Sequence, residues 1–102
     1  MTLEDALRAL EEYRVSIDAL DLRLLELLNA RTRVVEDIGR VKRAARLPIY
    51  EPRREDQVFD NVTSHNGGPL TPDAVKRIFE RIIDEMRTIQ RIRMETSNDG
   101  EK

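Results

Sequence analysis

Apolar residues recur at spacings of three and four along the first 46 positions, and no proline interrupts them. They are Leu3, Leu7, Leu10, Ile17, Leu20, Leu24, Leu28, Val35, Ile38 and Val41. This spacing predicts one long amphipathic helix from Thr2 to about Arg46. Thr2 is the expected N-cap, and Glu4 and Asp5 suit the positive end of the helix dipole. At about 1.5 Å per residue the helix spans roughly 65 Å, which is more than one short chain can cover.

Prolines predict where the first helix ends and where two further helices begin. Pro48 and Pro52 end the first helix and bound a loop, and a second, short helix then carries Val58, Phe59 and Val62. The segment SHNGGPLTP breaks the chain again. Thr71 as N-cap and Pro72 at the first position predict a third helix. Its apolar stripe is Val75, Ile78, Phe79, Ile82, Ile83, Met86, Ile89 and Met94.

These elements predict an all-α fold with one very long, one short and one long helix, and no segment has a strand pattern. Residues 1–96 are assigned to one helical domain and residues 97–102 to a polar C-terminal tail. Helices two and three can cover only part of the first helix. The rest of its apolar stripe needs a second copy of the chain, which predicts an intertwined helical homodimer. A plain coiled coil is the alternative.

Composition excludes several functions. Lys and Arg total 18 against 20 Asp and Glu, so no global positive field draws the chain to nucleic acid or to an anionic membrane. The absence of cysteine excludes disulfides, thiolate zinc sites and cysteine nucleophiles. The N-terminal residues MTLEDALRALEEYR are acidic and contain no apolar run, so they predict neither a signal peptide nor a membrane anchor. A cytoplasmic protein is expected.

Three cations lie on the apolar stripe of the first helix, namely Arg14, Arg31 and Lys42. A buried cation needs a counter-charge. The partner is either an acidic side chain or an anionic ligand, and the number of such cations favours the ligand. The acidic candidates are Asp18, Asp21, Glu51 and Glu55.

Helix geometry limits which of these cations can share one ligand. Arg31 and Lys42 are 11 residues apart, about 16.5 Å along the axis and within about 20° of one face, so they could hold one dianion between them. Arg14 lies 17 residues before Arg31, about 25 Å away and turned by about 100°. If Arg14 contributes, it must do so from the partner protomer.

Three more residues have both a structural and a functional interpretation. Gly39 lies between the two cations and leaves room either for a ligand or for close helix packing. Gln90 stands in the apolar stripe of the third helix and Glu55 begins the apolar face of the second, so each makes a structural hydrogen bond or contacts a ligand. His65, in a glycine-rich loop, is expected at the surface.

The basic residues of the first helix do not form a nucleic-acid site. They scatter around the helix without aromatic neighbours, which argues against nucleic-acid binding; these residues are Arg40, Lys42, Arg43 and Arg46.

Taken together, these residues in this order resemble the all-helical chorismate mutases, the AroQ class. The match covers roughly residues 7–93. It comprises Arg14, Asp21, Arg31, Gly39, Lys42, Glu51, Arg54, Glu55 and Gln90. The resemblance implies an intertwined homodimer with two equivalent sites. It also implies a Claisen rearrangement of chorismate to prephenate in phenylalanine and tyrosine biosynthesis, without metal or cofactor.

The resemblance also implies roles for individual residues. Arg31, with Arg14 of the partner subunit, would hold the substrate carboxylates, and Lys42 and Gln90 would donate to the ether oxygen. Glu55 and the backbone near Glu51 would take the ring hydroxyl, and Arg54 would assist. These roles need only prepositioned groups, because no proton is transferred in the transition state.

One departure from the family concerns substrate affinity. Met86 stands where many members have a serine or threonine, so a hydrogen bond to a substrate carboxylate is expected to be missing. The loop NGGPLTP resembles that of mutase domains attached to, or partnered with, the first enzyme of the shikimate pathway. Two alternatives therefore stay open: an isochorismate pyruvate lyase, and a weakly active regulatory or binding module for a shikimate-pathway enzyme.

Overall fold

The computed structural model describes the backbone of residues 1–100 and the side chains of residues 1–95. It contains three helices: α1 (Leu3–Ala44), α2 (Pro52–Ser64) and α3 (Pro72–Gly100). No strand occurs within residues 1–100, so the predicted all-helical fold is confirmed. Helix α3 continues through positions 97–100, and the last two residues of the predicted polar tail lie outside the described residues. The domain boundary after residue 96 stays a prediction.

Threonine hydroxyls cap the N-termini of α1 and α3, as predicted. Thr2 Oγ1 accepts a hydrogen bond from the Asp5 backbone N–H at 3.1 Å, and Asp5 in turn accepts one from the Thr2 N–H at 3.5 Å. A hydrogen bond between the Thr2 hydroxyl and the Asp5 carboxylate is the main reason why the pKa of Asp5 lies below its ordinary value, and the bond from the Thr2 N–H adds to it. Thr71 is the residue directly before the proline at which α3 begins, and its Oγ1 accepts a hydrogen bond from the Ala74 N–H at 3.1 Å. Each threonine satisfies an N–H group that has no partner inside its helix.

The end of α1 is set by a backbone turn that comes before Pro48. Arg46 has a positive φ of 57°. Its N–H donates to the Arg43 carbonyl at 3.2 Å, and the Leu47 N–H donates to the Lys42 carbonyl at 2.7 Å. These two bonds form a Schellman motif, in which a left-handed residue closes the last turn of a helix. The helix therefore ends at Ala44, slightly earlier than the predicted end near Arg46.

The chain divides into two compact units, Met1–Arg33 and Val34–Lys102. The first unit is a single stretch of helix whose apolar residues are mostly exposed, as Leu7 (55%), Leu24 (57%) and Leu27 (67%) illustrate, whereas Leu28 is half-buried. The second unit contains the C-terminal part of α1 together with α2 and α3. Its buried apolar residues are Val35, Val75, Ile83 and Met86. Within residues 1–100, none of the helices combines the length and the apolar character that crossing a membrane requires.

Candidate functional site

Lys42 is a buried cation in the second unit, with only 8% of its surface exposed. Its Nζ donates to the Ile49 carbonyl at 3.0 Å and forms an ion pair with Glu51 Oε1 at 2.6 Å. The ammonium therefore ties the loop between α1 and α2 to the last turns of α1. Glu51 is one of the acidic partners that the sequence offered. An ammonium has three N–H donors, so after these two acceptors one N–H can still donate to a ligand.

Gln90 brings a buried amide to the same unit from α3. It is 7% exposed, and its Nε2 donates to the Val35 carbonyl of α1 at 3.3 Å. A Cβ atom at Gly39 would lie 3.6 Å from Gln90 Cγ, an ordinary van der Waals distance. Gly39 thus faces Gln90, and an alanine would also fit at this position, so helix packing alone does not require a glycine here. The amide has a second N–H, so the bond to Val35 leaves it able to donate elsewhere.

A cavity of about 170 Å³ adjoins Gly39 and Gln90 on the flank of α1 and α3. Three arginines line it, namely Arg40, Arg43 and Arg93. Arg40 pairs with Asp37 on its own helix, and Arg93 pairs with Glu36 at 2.9 Å. Among the described residues, neither Lys42 nor Glu55 lines this cavity. The cavity is therefore not the place where the predicted site residues meet.

Glu55 lies in the first turn of α2 and is held by an arginine that sequence reasoning did not single out. Arg87 Nη2 of α3 contacts Glu55 Oε2 at 2.6 Å, and the two side chains are 28% and 24% exposed. The guanidinium also lies 5.1 Å from the centre of the Tyr50 ring. Of the residues three and four positions from Arg87, only Ile83 is apolar, so the spacing within α3 predicts an exposed arginine and gave no signal for this contact. Tyr50 offered no signal either.

The remaining predicted residues of the second unit have different surroundings. Met86 is 7% exposed and belongs to the apolar core. Arg54 is exposed and donates from Nη1 to Gln57 Oε1 at 3.5 Å on its own helix. No described contact joins Arg54 to Lys42 or Gln90. Arg54 therefore keeps its predicted role only as a proposal.

Arg14 and Arg31 belong to the first unit. Arg14 is exposed on α1, whereas Arg31 is half-buried and has an interaction partner. Their part in a site with Lys42 and Gln90 stays a prediction. His65 is exposed as expected, and its Nδ1 lies 2.7 Å from the Asn61 carbonyl.

The second unit thus combines a buried ammonium, a buried amide and a half-buried carboxylate that an arginine holds. Such a set can donate hydrogen bonds to an oxygen that gains negative charge and can accept one from a hydroxyl. Among residues whose side chains are described, no group of three or more His, Cys, Asp or Glu is placed to hold a metal ion. The arrangement suits electrostatic stabilisation of a bound polar molecule.

Known proteins are similar to this chain in sequence and in fold. The family described as chorismate mutase type II matches residues 13–91. A bifunctional chorismate mutase/prephenate dehydratase from Aquifex aeolicus is 34% identical over 86 residues, which cover 80% of this chain and 24% of that protein. The chain spans about a quarter of the length of the bifunctional relatives it matches.

Other similar proteins match over nearly their whole length. A chorismate mutase from Methanocaldococcus jannaschii is 26% identical over 97 residues, which cover 91% of this chain and 95% of that protein. A crystal structure of chorismate mutase from Helicobacter pylori in complex with prephenate superimposes with a TM-score of 0.81 at 26% identity, covering 86% of this chain and 96% of that one. Because the family match spans residues 13–91, which is most of its length, the chain belongs to the chorismate mutase type II family.

Proposed function

We propose that this chain is an isomerase that converts chorismate to prephenate. The observation that carries the proposal is the buried ammonium of Lys42, which Ile49 and Glu51 hold in place in a chain of this family. Burial strengthens the effect of such a charge on a bound anion, because less water screens it. A fixed ammonium also needs little reorganisation when charge develops next to it.

The rearrangement itself requires no nucleophile, metal or proton transfer. In one step the ether C–O bond of chorismate breaks while a new C–C bond forms, and negative charge grows on the ether oxygen. Lys42 and Gln90 donate hydrogen bonds to that oxygen and therefore stabilise the transition state more than the ground state.

Binding selects the folded diaxial conformer of the substrate. Arg31 and Arg14 of the partner subunit hold the two carboxylates, and Arg54 assists. Glu55 and the backbone near Glu51 bind the ring hydroxyl. Fixing these groups brings the reacting carbons close together and removes much of the entropic part of the barrier.

The proposal includes an intertwined homodimer. The exposed apolar stripe of the first unit supports it, because a single helix cannot bury its own apolar face. Six large side chains along that unit are at least 46% exposed, namely Leu3, Leu7, Leu10, Ile17, Leu20 and Leu24. A second copy offers a matching stripe and supplies Arg14 to each site.

Association with another enzyme of aromatic biosynthesis is a further part of the proposal. Relatives such as the protein from Aquifex aeolicus combine chorismate mutase with prephenate dehydratase in one chain. The loop NGGPLTP favours the first enzyme of the shikimate pathway as a partner of this chain. A chain that depends on such a partner would have low activity alone.

The test measures the purified chain with chorismate and, separately, with isochorismate. We expect loss of chorismate with an equal molar yield of prephenate. Release of pyruvate from isochorismate at a higher kcat/KM would identify an isochorismate pyruvate lyase instead. Binding of chorismate without turnover would identify a regulatory module. Sedimentation of the same sample tests the dimer.

A further inference from the structure

Arg87 is a half-buried cation that the proposed reaction does not use. Its Nη2 donates to Glu55 Oε2 at 2.6 Å across 32 residues of sequence and so connects α3 to α2. The side chains are 28% and 24% exposed, which separates this pair from the exposed pairs on the surfaces of α1 and α3. Removing one partner of a poorly hydrated ion pair leaves the other without compensation.

Three contacts fix the position of the Arg87 guanidinium. Besides the bond to Glu55, Nη1 lies 3.7 Å from Asp84 Oδ1, and Cζ lies 5.1 Å from the centre of the Tyr50 ring. A planar guanidinium can stack on an aromatic face while its edge binds a carboxylate. The Arg87 side chain therefore contacts residues of the loop before α2, of α2 and of its own helix α3.

The backbone of Glu55 is already fixed, because its N–H donates to the Glu51 carbonyl at 3.1 Å in the first turn of α2. Its side chain is contacted by Arg87 of α3. The contact with Arg87 uses Oε2 of the carboxylate, and an ionised carboxylate can accept further hydrogen bonds through Oε1.

We infer that Arg87 is a positioning residue, which orients the Glu55 carboxylate so that Oε1 accepts the hydrogen bond from the ring hydroxyl of the substrate. This inference rests on the proposed function, because it needs Glu55 at the hydroxyl. Arg87 acts through Glu55 and does not itself touch the substrate.

Two other roles would give different results. If Arg87 only links α2 to α3, its loss weakens folding and affects all substrates alike. If Arg87 binds a substrate carboxylate directly, its loss also affects all substrates that carry the carboxylate. A substrate analogue that lacks the ring hydroxyl, 4-deoxychorismate, therefore separates positioning from both alternatives.

The experiment compares kcat/KM of the wild-type chain and of Arg87→Met on chorismate and on 4-deoxychorismate. We expect a loss of about 10- to 100-fold on chorismate, as for a misplaced contact group, and little change on the analogue. Equal losses on both substrates would overturn the inference. Arg81→Met removes an exposed arginine that pairs with Glu85 on the same helix, and it should leave both values unchanged.

A double-mutant cycle provides a second readout. In a Glu55→Gln background, Arg87→Met should cause no further loss on chorismate, because Arg87 then has no carboxylate to orient. Additive losses would contradict positioning. If Arg87→Met does not fold, Arg87→Gln and Arg87→Lys undergo the same comparison with the same decisive outcomes.

Failure of the inference and failure of the proposed function are distinguishable. A folded wild-type chain that does not convert chorismate refutes the proposed function. A wild-type chain that converts chorismate, with an Arg87→Met variant impaired equally on both substrates, refutes only the positioning role.

Discussion

Lys42 combines two tasks, which kinetic and unfolding measurements on one variant can separate. Its ammonium holds the loop through Ile49 and Glu51, and in the proposed reaction it also donates to the ether oxygen. The sequence predicted that Lys42 lies against the apolar core, because its neighbours at three and four residues include Ile38 and Ala45. The sequence could not identify which acidic side chain pairs with Lys42, because that depends on how the loop folds back.

Lys42→Met keeps most of the side-chain stem and removes the charge. We expect kcat to fall much more than KM rises, by about 2–4 kcal/mol of transition-state stabilisation, as for the loss of one donor to a developing oxyanion. Steady-state kinetics measure this, and urea unfolding measures the separate loss of the loop contacts. Lys76→Met, an exposed lysine on α3, is the matched control. An unchanged kcat would remove Lys42 from the mechanism.

Met86 tests whether the departure from the family weakens substrate binding. Met86→Ser or Met86→Thr should lower KM with a modest change in kcat if a hydroxyl at this position reaches a substrate carboxylate. The gain is limited to about 1.5–3 kcal/mol for one hydrogen bond to a charged group.

Because Met86 is buried, both variants also lose core packing, which costs about 2–5 kcal/mol of stability for truncation of methionine. Met86→Ala loses similar packing without gaining a hydroxyl and is therefore the control. A KM for the serine and threonine variants that is no lower than that of Met86→Ala would show that the hydroxyl gives no substrate contact.

Glu55 and Arg87 show where sequence reasoning stops at the residue scale. Neighbours at three and four positions identify which side of a helix a charged residue occupies, and this worked for Lys42 and Gln90. A pair that is 32 residues apart, on two different helices, depends on the angle between those helices. Spacing within one helix contains no information about that angle.

At the scale of elements, the helix starts were predictable and one helix end was not. Thr2 and Thr71 cap α1 and α3 through local hydrogen bonds that sequence motifs describe well. The turn after α1 places Arg46 in a left-handed conformation, where glycine is the usual residue. Because the position holds arginine, the sequence contained no signal for this turn.

The turn predicts a stabilising substitution. Arg46→Gly removes the steric cost of a Cβ atom at positive φ, so we expect the free energy of unfolding to rise by about 0.5–1 kcal/mol. Urea denaturation of the two chains measures the change. Arg46→Ala keeps the Cβ atom and should bring no such gain. A gain of the same size from alanine would mean that the arginine charge, and not the backbone conformation, is unfavourable.

At the scale of the whole molecule, the sequence already predicted that the chain associates with a second copy. A helix of 42 residues is too long for α2 and α3 to cover, and the exposed leucines of the first unit agree with that reasoning. The all-helical fold was predictable because the apolar stripe continues without proline for more than 40 residues. The contacts of the proposed dimer were not predictable, because they would depend on the partner surface as well as on this one.

The proposed dimer makes a prediction about which chain supplies Arg14. Along the helix, Arg14 and Arg31 are 17 residues apart, about 25 Å, so each site should take Arg31 from its main chain and Arg14 from the partner. Homodimers of Arg14→Ala and of Arg31→Ala should both be nearly inactive. A mixed dimer of the two variants should have one site with both lesions and one intact site.

Coexpression with two different tags, followed by isolation of the heterodimer, tests this arrangement. We expect about half of the wild-type kcat from the symmetry of a two-fold dimer. A heterodimer of Arg31→Ala with Arg23→Ala, an exposed arginine of the same unit, should also retain half, because one of its sites is intact whichever chain supplies Arg14. If Arg14 acted within its own chain, the Arg14→Ala and Arg31→Ala heterodimer would carry one lesion in each site. Its activity would then stay near that of the mutant homodimers while the Arg23→Ala control kept half, and that pair of results would refute the shared site.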